Sequence, residues 1–531
     1  MIHAPGSLGL YLVLLVSCGV RPTAPEVPLT VTAAQPVLPV LAGKARNQVV
    51  TVEMKAGEGF TAPPVAALEF SLRGTTALTD IRKAELLYAG SGNFHEAEVV
   101  GSQQRVDGNQ LIFKPSRSVL AGEGAFFLSL ELIDAPELTH RIGAELIEVR
   151  LQDGTRVPAQ TKADSRPQRI GLALRQAGED GVNTYRIPGL VTTNEGSLLA
   201  VYDVRYNDPV DLQENIDVGL SRSTDGGQTW QDMRIIMDMG TYGGLSEDEN
   251  GIGDPSILVD RNTGTIWVAG LWLHGYPGQR AWNASEPGMS PEETGQFVLV
   301  KSEDDGLTWS EPINVTDQLK KPEWQLFFNG PGMGITMHDG TLVFAAQYKD
   351  ENRIPHSTIV YSKDGGETWE VGTGAKSETT EAQVVEIDNG TLMLNMRDDR
   401  NRSNRNDPLN GRSVATTTDM GKTWTEHPTS RRALREPNCM ASIIAYDHPE
   451  RGRILFFSNP DSRVARNHIT IKTSFDNGMS WPEENQLELY EDHTYGYSCL
   501  TMVDEDHIGI LYEGNRELFF EKIAIEELIT D

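Results

Sequence analysis

Ser223-Thr-Asp225-Gly-Gly227-Gln-Thr-Trp230 is the stretch whose reading decides the fold. It recurs as Ser302-Glu-Asp304-Asp-Gly306-Leu-Thr-Trp309 and as Ser362-Lys-Asp364-Gly-Gly366-Glu-Thr-Trp369. Two further copies are Thr417-Thr-Asp419-Met-Gly421-Lys-Thr-Trp424 and Ser474-Phe-Asp476-Asn-Gly478-Met-Ser-Trp481. Successive aspartates lie 79, 60, 55 and 57 residues apart, the period of a four-stranded unit with its loops. The chemistry is that of a hairpin turn. Hydroxyl and carboxylate bond the turn's backbone, Gly supplies positive φ, and Trp packs into the adjacent apolar layer. Asp225, Asp304, Asp364, Asp419 and Asp476 are therefore read as structural, not catalytic.

A second recurrence counts the units. A Gly leads into an apolar strand at Gly196-Ser-Leu-Leu-Ala-Val-Tyr, Gly264-Thr-Ile-Trp-Val-Ala and Gly340-Thr-Leu-Val-Phe-Ala. The same occurs at Gly390-Thr-Leu-Met-Leu-Asn and Gly452-Arg-Ile-Leu-Phe-Phe, with a degenerate copy at His507-Ile-Gly-Ile-Leu-Tyr. Six strands with five turns fit an all-β fold, a six-bladed β-propeller over residues 165–531. The last unit lacks its turn motif, so an early strand such as Ile170-Gly-Leu-Ala-Leu is expected to close the ring and remove the open sheet edges.

Upstream, residues 29–164 read as a small antiparallel β-sandwich. Val49-Val50-Thr51-Val52-Glu53-Met54, Ala84-Glu85-Leu86-Leu87-Tyr88 and Phe126-Phe127-Leu128-Ser129-Leu130-Glu131-Leu132 alternate with turn residues between them. With one Tyr (Tyr88) and no Trp, this region is poorly equipped to stack on sugars, so an accessory or spacer role is as well supported as carbohydrate binding. The uncharged apolar run Leu8 to Val16 is too short to span a bilayer and reads as the core of an export signal over residues 1–17. Its end, Leu15-Val16-Ser17-Cys18-Gly19, resembles a bacterial lipoprotein signal, with Cys18 as the lipidated residue and 18–28 as a Pro-rich tether. The expected location is the periplasm or the outer surface of a Gram-negative bacterium, with the membrane reached only through the lipid anchor. Cys439 and Cys499 remain open between a disulfide and two buried thiols.

Composition narrows the function. Lys and Arg total 46 against 76 Asp and Glu, a net charge of −30 that argues against nucleic acid as a partner. The 11 His form no zinc-binding pattern, and Gly372-Thr-Gly374-Ala-Lys376-Ser377 lacks the glycines of a phosphate loop. The acidic stretch Ser246-Glu-Asp248-Glu-Asn250-Gly251 reads as a solvated loop. Neither a metal nor another cofactor is expected, and the protein is expected to be a monomer.

Tyr185-Arg186-Ile187-Pro188, the five Asp turns, Glu381-Ala-Gln-Val-Val-Glu386 leading to Leu392-Met-Leu-Asn-Met-Arg397, and Tyr497-Ser498-Cys-Leu-Thr occur in order along one chain. Together they resemble a bacterial exo-α-sialidase (neuraminidase) with Asp-box, or BNR, repeats. The resemblance spans about 165–531. The N-terminal region is similar, more weakly, to an accessory sandwich found in some of these enzymes.

The resemblance implies a glycoside hydrolase acting with retention on terminal α-linked sialic acids of glycoproteins, glycolipids or oligosaccharides. Its residues suit the chemistry. A substrate carboxylate calls for planar bidentate donors, which arginine supplies. Arg186, Arg397 and Arg466 match the three clamps, with Arg463 as the rival for the third place. Arg400, Arg402, Arg405 and Arg412 are read as a loop balanced by Asp398, Asp399 and Asp407. Sialidases use Tyr where other glycosidases use a carboxylate, since a neutral phenol approaches a carboxylate-bearing centre without repulsion. Tyr497 matches that nucleophile and Glu381 its activating base. Tyr495, two residues away, is the rival for that role. Asp211 matches the acid/base ahead of Asp208. Arg205 and Asp254 match substrate-binding residues, and Glu513 the carboxylate that supports Arg186. Transfer to another sugar or to an internal hydroxyl is the enzymatic alternative. A propeller that binds sialic acid without turnover is the alternative outside enzymes. The loop Tyr276–Thr294 is expected to set linkage preference.

Overall fold

The repeat dictates local structure before any long-range contact is made. In each of the five turns the Asp accepts from the Ser or Thr two residues before it, from the backbone N–H four residues on, and from that residue's hydroxyl. At Asp304 these distances are 2.9, 2.8 and 2.6 Å. Asp225, Asp364, Asp419 and Asp476 repeat the pattern. The leading hydroxyl also accepts the N–H of the turn's second Gly position, as Ser223 does from Gly227 at 3.0 Å. Trp230 packs edge-on against Phe520 with ring centroids 5.2 Å apart, joining its turn to the strand Leu518–Ala524.

In the computed structural model, which describes Met1, residues 29–162 and residues 165–529, the protein is almost entirely β. The expected signal, the lipidation site Cys18 and the tether lie outside the described residues. Leu29–Ala34, Asn47–Ala56, Ala125–Leu132, Ile81–Ala89 and Glu98–Gln103 form one N-terminal sheet in that order, with Gln160–Thr161 at its edge. The facing sheet is Arg156–Pro158, Glu145–Leu151, Val65–Ser71 and Gln110–Phe113. The alternating runs read from the sequence fall within these strands, and their inward residues form the core between the sheets. Tyr88 is buried and its hydroxyl donates to the Glu123 carbonyl at 3.2 Å, so the lone N-terminal tyrosine offers no surface platform.

Six sheets follow, each built on an antiparallel series of strands. The six Gly-led strands are each second in their series: Leu198–Arg205, Ile266–Trp272, Leu342–Lys349, Thr391–Asp398, Gly452–Pro460 and His507–Glu513. The last sheet is completed from the other end of the region, where Gln168–Arg175 pairs with Leu518–Ala524. That is the closure expected around Ile170.

The two regions are less separate than a boundary at 164 implies. Val40–Ala42, from the N-terminal region, pairs in parallel with Ile170 to Leu172 and extends the sixth sheet. Arg141 and Arg169 both grip Glu527, each at 2.6 Å. One apolar cluster runs from Val40 and Leu130 through Ile170 to Phe520.

Antiparallel alternation decides where function sits. The start of a first strand, the end of a second and the start of a third share one end of a sheet. The Asp turns join third strands to fourth, at the opposite end. Turn motif and candidate chemistry are thus segregated by topology.

Candidate active site

Arg186 stands near the start of Thr184–Thr192, the first strand of its sheet. A register shift between Arg186 and Gly189 bulges the strand, and Ile187 takes φ of 56°, a costly value for a β-branched residue. Glu513 holds that conformation. Its Oε1 accepts the Ile187 N–H and the Arg186 Nε, both at 3.0 Å, while Oε2 accepts the Tyr497 N–H at 2.9 Å. This carboxylate is fully buried at the end of His507–Glu513, so one acid fixes a guanidinium and two backbone segments.

Tyr497 directly precedes the strand Ser498–Met502. Its hydroxyl donates to Glu381 Oε1 and accepts from Arg397 Nη1 at 3.0 Å, while Arg397 also donates to Glu381 Oε2. Burial pushes the Glu381 carboxyl up, but Arg397, the Tyr497 hydroxyl and Arg466 outweigh burial and hold it below its usual range. Burial and the Glu381 charge push the Tyr497 phenol well above its ordinary value, against the pull of Arg397 and Arg466. The resting pair is therefore a neutral phenol bonded to a carboxylate.

Arg466 completes the group, its guanidinium carbon 5.6 Å from the Tyr497 ring centroid. Its Nη1 donates to the Tyr495 carbonyl at 2.8 Å and Nη2 to the Asn438 carbonyl at 3.2 Å. Arg463 lies in a second cavity with Arg405 and Arg435. The loop thus sends arginines three residues apart to different places. Tyr495 and Tyr497 stand on the same side of their segment. The segment is not a strand, Gly496 between them has φ of 94°, and both rings line one cavity. Only Tyr497 bonds Glu381. Tyr495 covers Arg186, whose guanidinium lies 4.9 Å from its ring centroid.

Asp211 comes from the loop after Leu198–Arg205. Its side chain is 52% exposed and its Oδ1 accepts from Arg205 Nη1 at 2.8 Å and Arg186 Nη1 at 3.2 Å. Partial enclosure pushes this carboxyl up, but the two arginines prevail and hold it well below the usual carboxylate range. Asp208 instead caps its own turn, accepting the Val210 N–H at 2.7 Å. Arg205 is placed differently from the expected substrate contact. It is buried, with donors spent on Asp203, Pro209 and Asp211, and it stands behind Asp211 outside the cavity lining. Asp254 does line the cavity, on a bulged strand at φ of 55° with its N–H bonded to Asp203. Burial, reinforced by Asp203, Asp211 and Glu381, pushes the Asp254 carboxyl well above its normal range.

These side chains enclose a cavity of about 670 Å³. Leu271, Leu326 and Phe328 make an apolar wall, and Arg280 and Trp282 reach it from the loop expected to govern linkage. Of the loop arginines read as balanced, Arg400 pairs with Asp398 at 2.7 Å and Arg402 with Asp399 at 3.1 Å. Arg402 also reaches the cavity, and Arg412 is buried against Glu436 at 3.1 Å. Two contributors carried no sequence motif. Asn438 receives Arg397 Nη2 on its side chain at 3.0 Å and Arg466 on its carbonyl, tying two arginines to one residue. Asp203 is an acid inside the apolar run Leu198–Arg205, and that contrast was its signal. Both remaining cysteines are buried free thiols. Burial pushes Cys439, which packs on Tyr497, up to about 11 and Cys499 up to about 12.

Comparisons with known proteins match both regions of the chain. A family described as the BNR repeat-like domain matches residues 196–511, and the N-terminal domain of BNR-repeat neuraminidase matches 29–155. A sialidase of Bacteroides fragilis is 44% identical over 492 residues, covering 90% of this chain and 89% of its own. A sialidase of Micromonospora viridifaciens is 34% identical over 349 residues, 63% of this chain and 50% of its own. A solved Hadza microbial sialidase superposes with a TM-score of 0.87 at 40% identity, across 94% of this chain and 100% of that one.

Proposed function

The chain belongs to the BNR-repeat sialidases, and from that premise we propose that it removes terminal α-linked sialic acids with retention, through a covalent sialyl-tyrosine at Tyr497. The observation that carries this reading is the Tyr497 hydroxyl bonded to Glu381 with Arg397 and Arg466 beside it in one cavity.

In this reading Arg186, Arg397 and Arg466 hold the substrate carboxylate and fix the anomeric carbon near Tyr497. The Tyr497 oxygen forms the new C–O bond while its proton passes to Glu381. The glycosidic C–O bond breaks as Asp211 protonates the leaving oxygen. In the second half Asp211 takes a proton from water, the water oxygen replaces the tyrosine oxygen, and Glu381 returns the proton to Tyr497. Two inversions leave the configuration retained. Sialylated glycans are the substrate class, and the cycle needs no cofactor.

Asp211 must carry a proton to act first, yet Arg205 and Arg186 favour its ionised form in the free enzyme. Substrate resolves the conflict. A bound carboxylate takes over Arg186 and places a negative charge beside Asp211, and both effects raise its proton affinity. Acid function is coupled to occupancy.

The test is release of sialic acid from an α-linked fluorogenic sialoside, followed by nuclear magnetic resonance of the first-formed anomer. A 2,3-difluorosialic acid should add one mass increment to the wild type and none to Tyr497→Phe. Absence of release by wild type would sink the enzymatic reading. A β first product would sink retention, and an anhydro or transferred product would replace hydrolysis with transfer.

A further inference from the structure

Beside the catalytic cavity lies a second one of about 550 Å³, whose lining includes Arg405, Arg435, Arg463, Asp461, His468 and Glu488. Two loops contribute residues to both. On one loop Arg402 faces the catalytic cavity and Arg405 the second, and on another Arg466 and Arg463 divide in the same way. Arg405 Nη1 donates to the Val464 carbonyl at 3.0 Å, which ties these loops together.

The charge here runs against that of the whole chain. Arg435 chelates Asp461 through two nitrogens, and Lys472 reaches the same carboxylate at 2.6 Å. His468 and Glu488 bond each other at 2.6 Å. These contacts use the local acids. Arg405 and Arg463 have no carboxylate partner among the described residues, and the Arg463 Nε is buried without an acceptor. Two guanidinium groups left without acids at one cavity, in a chain of net charge −30, are an anion site by construction.

We propose that this cavity is a carboxylate subsite that holds the second sialyl unit of an oligosialyl glycan while the terminal unit occupies the catalytic cavity. This rests on the sialidase reading of the neighbouring site. A planar sugar carboxylate matches the guanidinium fork, and a neutral aglycone would leave both arginines unpaired. Free sialic acid carries the same carboxylate and is the other source of such a ligand.

The experiment compares a monosialylated and an α2-8 disialylated glycan as substrates of wild type, Arg463→Gln and Arg405→Gln. For the disialylated substrate, KM should rise about 5–20-fold in each variant, the loss expected for one charge-assisted contact, with kcat held. For the monosialylated substrate both constants should stay within about twofold. Equal effects on the two substrates, or none, overturn the proposal. Amidation of the inner carboxylate should raise the wild-type KM as much as Arg463→Gln does, and no change on amidation also overturns it. With the catalytic cavity filled by a tight unsaturated sialic acid analogue, calorimetry asks whether free sialic acid binds a second time in wild type alone. Such binding assigns the site to the monosaccharide and overturns the oligosialyl assignment. If wild type releases nothing from either glycan, the enzymatic reading fails separately. Equilibrium binding of the two glycans then tests the subsite, with preference for the disialylated one expected in wild type and lost in Arg463→Gln.

Discussion

At Tyr497 a single hydroxyl answers to three charged neighbours, and its environment makes the sharpest claims. Tyr497→Phe removes the oxygen proposed as nucleophile while keeping the ring under Arg466, so turnover should fall about 10²–10⁴-fold with sialoside binding nearly unchanged. Tyr495→Phe keeps the ring over Arg186 and should cost little, about threefold or less. Steady-state kinetics of the two variants separates them, and equal losses would contradict the roles. Asp211 makes a pH prediction. In the proposed cycle the acid form acts in the first step, so activity should be lost as pH rises through the Asp211 pKa. That pKa is depressed in the free enzyme and raised when substrate takes Arg186. The alkaline limb of kcat/KM, which reports free enzyme, should therefore lie at lower pH than the alkaline limb of kcat. Coincident limbs would remove the substrate-coupled proton.

Elements show a division between ends. The turn aspartates accept short bonds from their own turns, and these pull Asp304, Asp364 and Asp419 down to about 2. A depressed folded pKa contributes stability that is present above the unfolded value near ~4 and lost as pH falls towards about 2. Asp225→Ala should lower stability by about 1–2 kcal/mol, read as a melting temperature a few degrees lower, with kcat/KM within about twofold. A large activity loss would place the turn in the site after all. Gly496 is the opposite case. A Cβ there would come within 2.9 Å of Cys439 Sγ and 3.2 Å of Arg466 Cβ, in a backbone conformation disfavoured for side chains. Gly496→Ala should therefore cost at least tenfold in kcat/KM by displacing Tyr497 and Arg466, checked by the same assay.

Over the whole molecule, the N-terminal region lends a strand to the catalytic region's last sheet. Val40–Ala42 covers the edge of Gln168–Arg175, and Glu527 binds arginines from both regions. Calorimetry should record one unfolding transition for the intact chain. A chain beginning at residue 165 should melt several degrees lower or aggregate, because an apolar sheet edge loses its partner. Two transitions, or an unchanged melting temperature, would mean that the interlock carries no stability. The charge of −30 describes the outer surface, screened within about 8 Å at physiological salt, while arginines converge at the cavity.

The sequence by itself determined what is local and periodic. The Asp turns close within six residues, and the Gly-led strands repeat because each sheet must bury the same two faces. The ordered motifs also named Arg186, Glu381, Arg397 and Tyr497 of the cavity lining. Tertiary structure alone decided between neighbours. Tyr497 meets Glu381 across 116 positions and Arg186 meets Glu513 across 327, so no spacing rule separates Tyr497 from Tyr495 or Arg466 from Arg463. Tyr495 and Tyr497 line one cavity and only the Tyr497 hydroxyl reaches Glu381, while a buried ion pair with Asp203 drew Arg205 behind Asp211. Asn438 joined the site only because two distant arginines reach it. Local hydrogen bonding writes itself into sequence as a motif, whereas convergence of far segments is set by how the sheets pack around a common cavity.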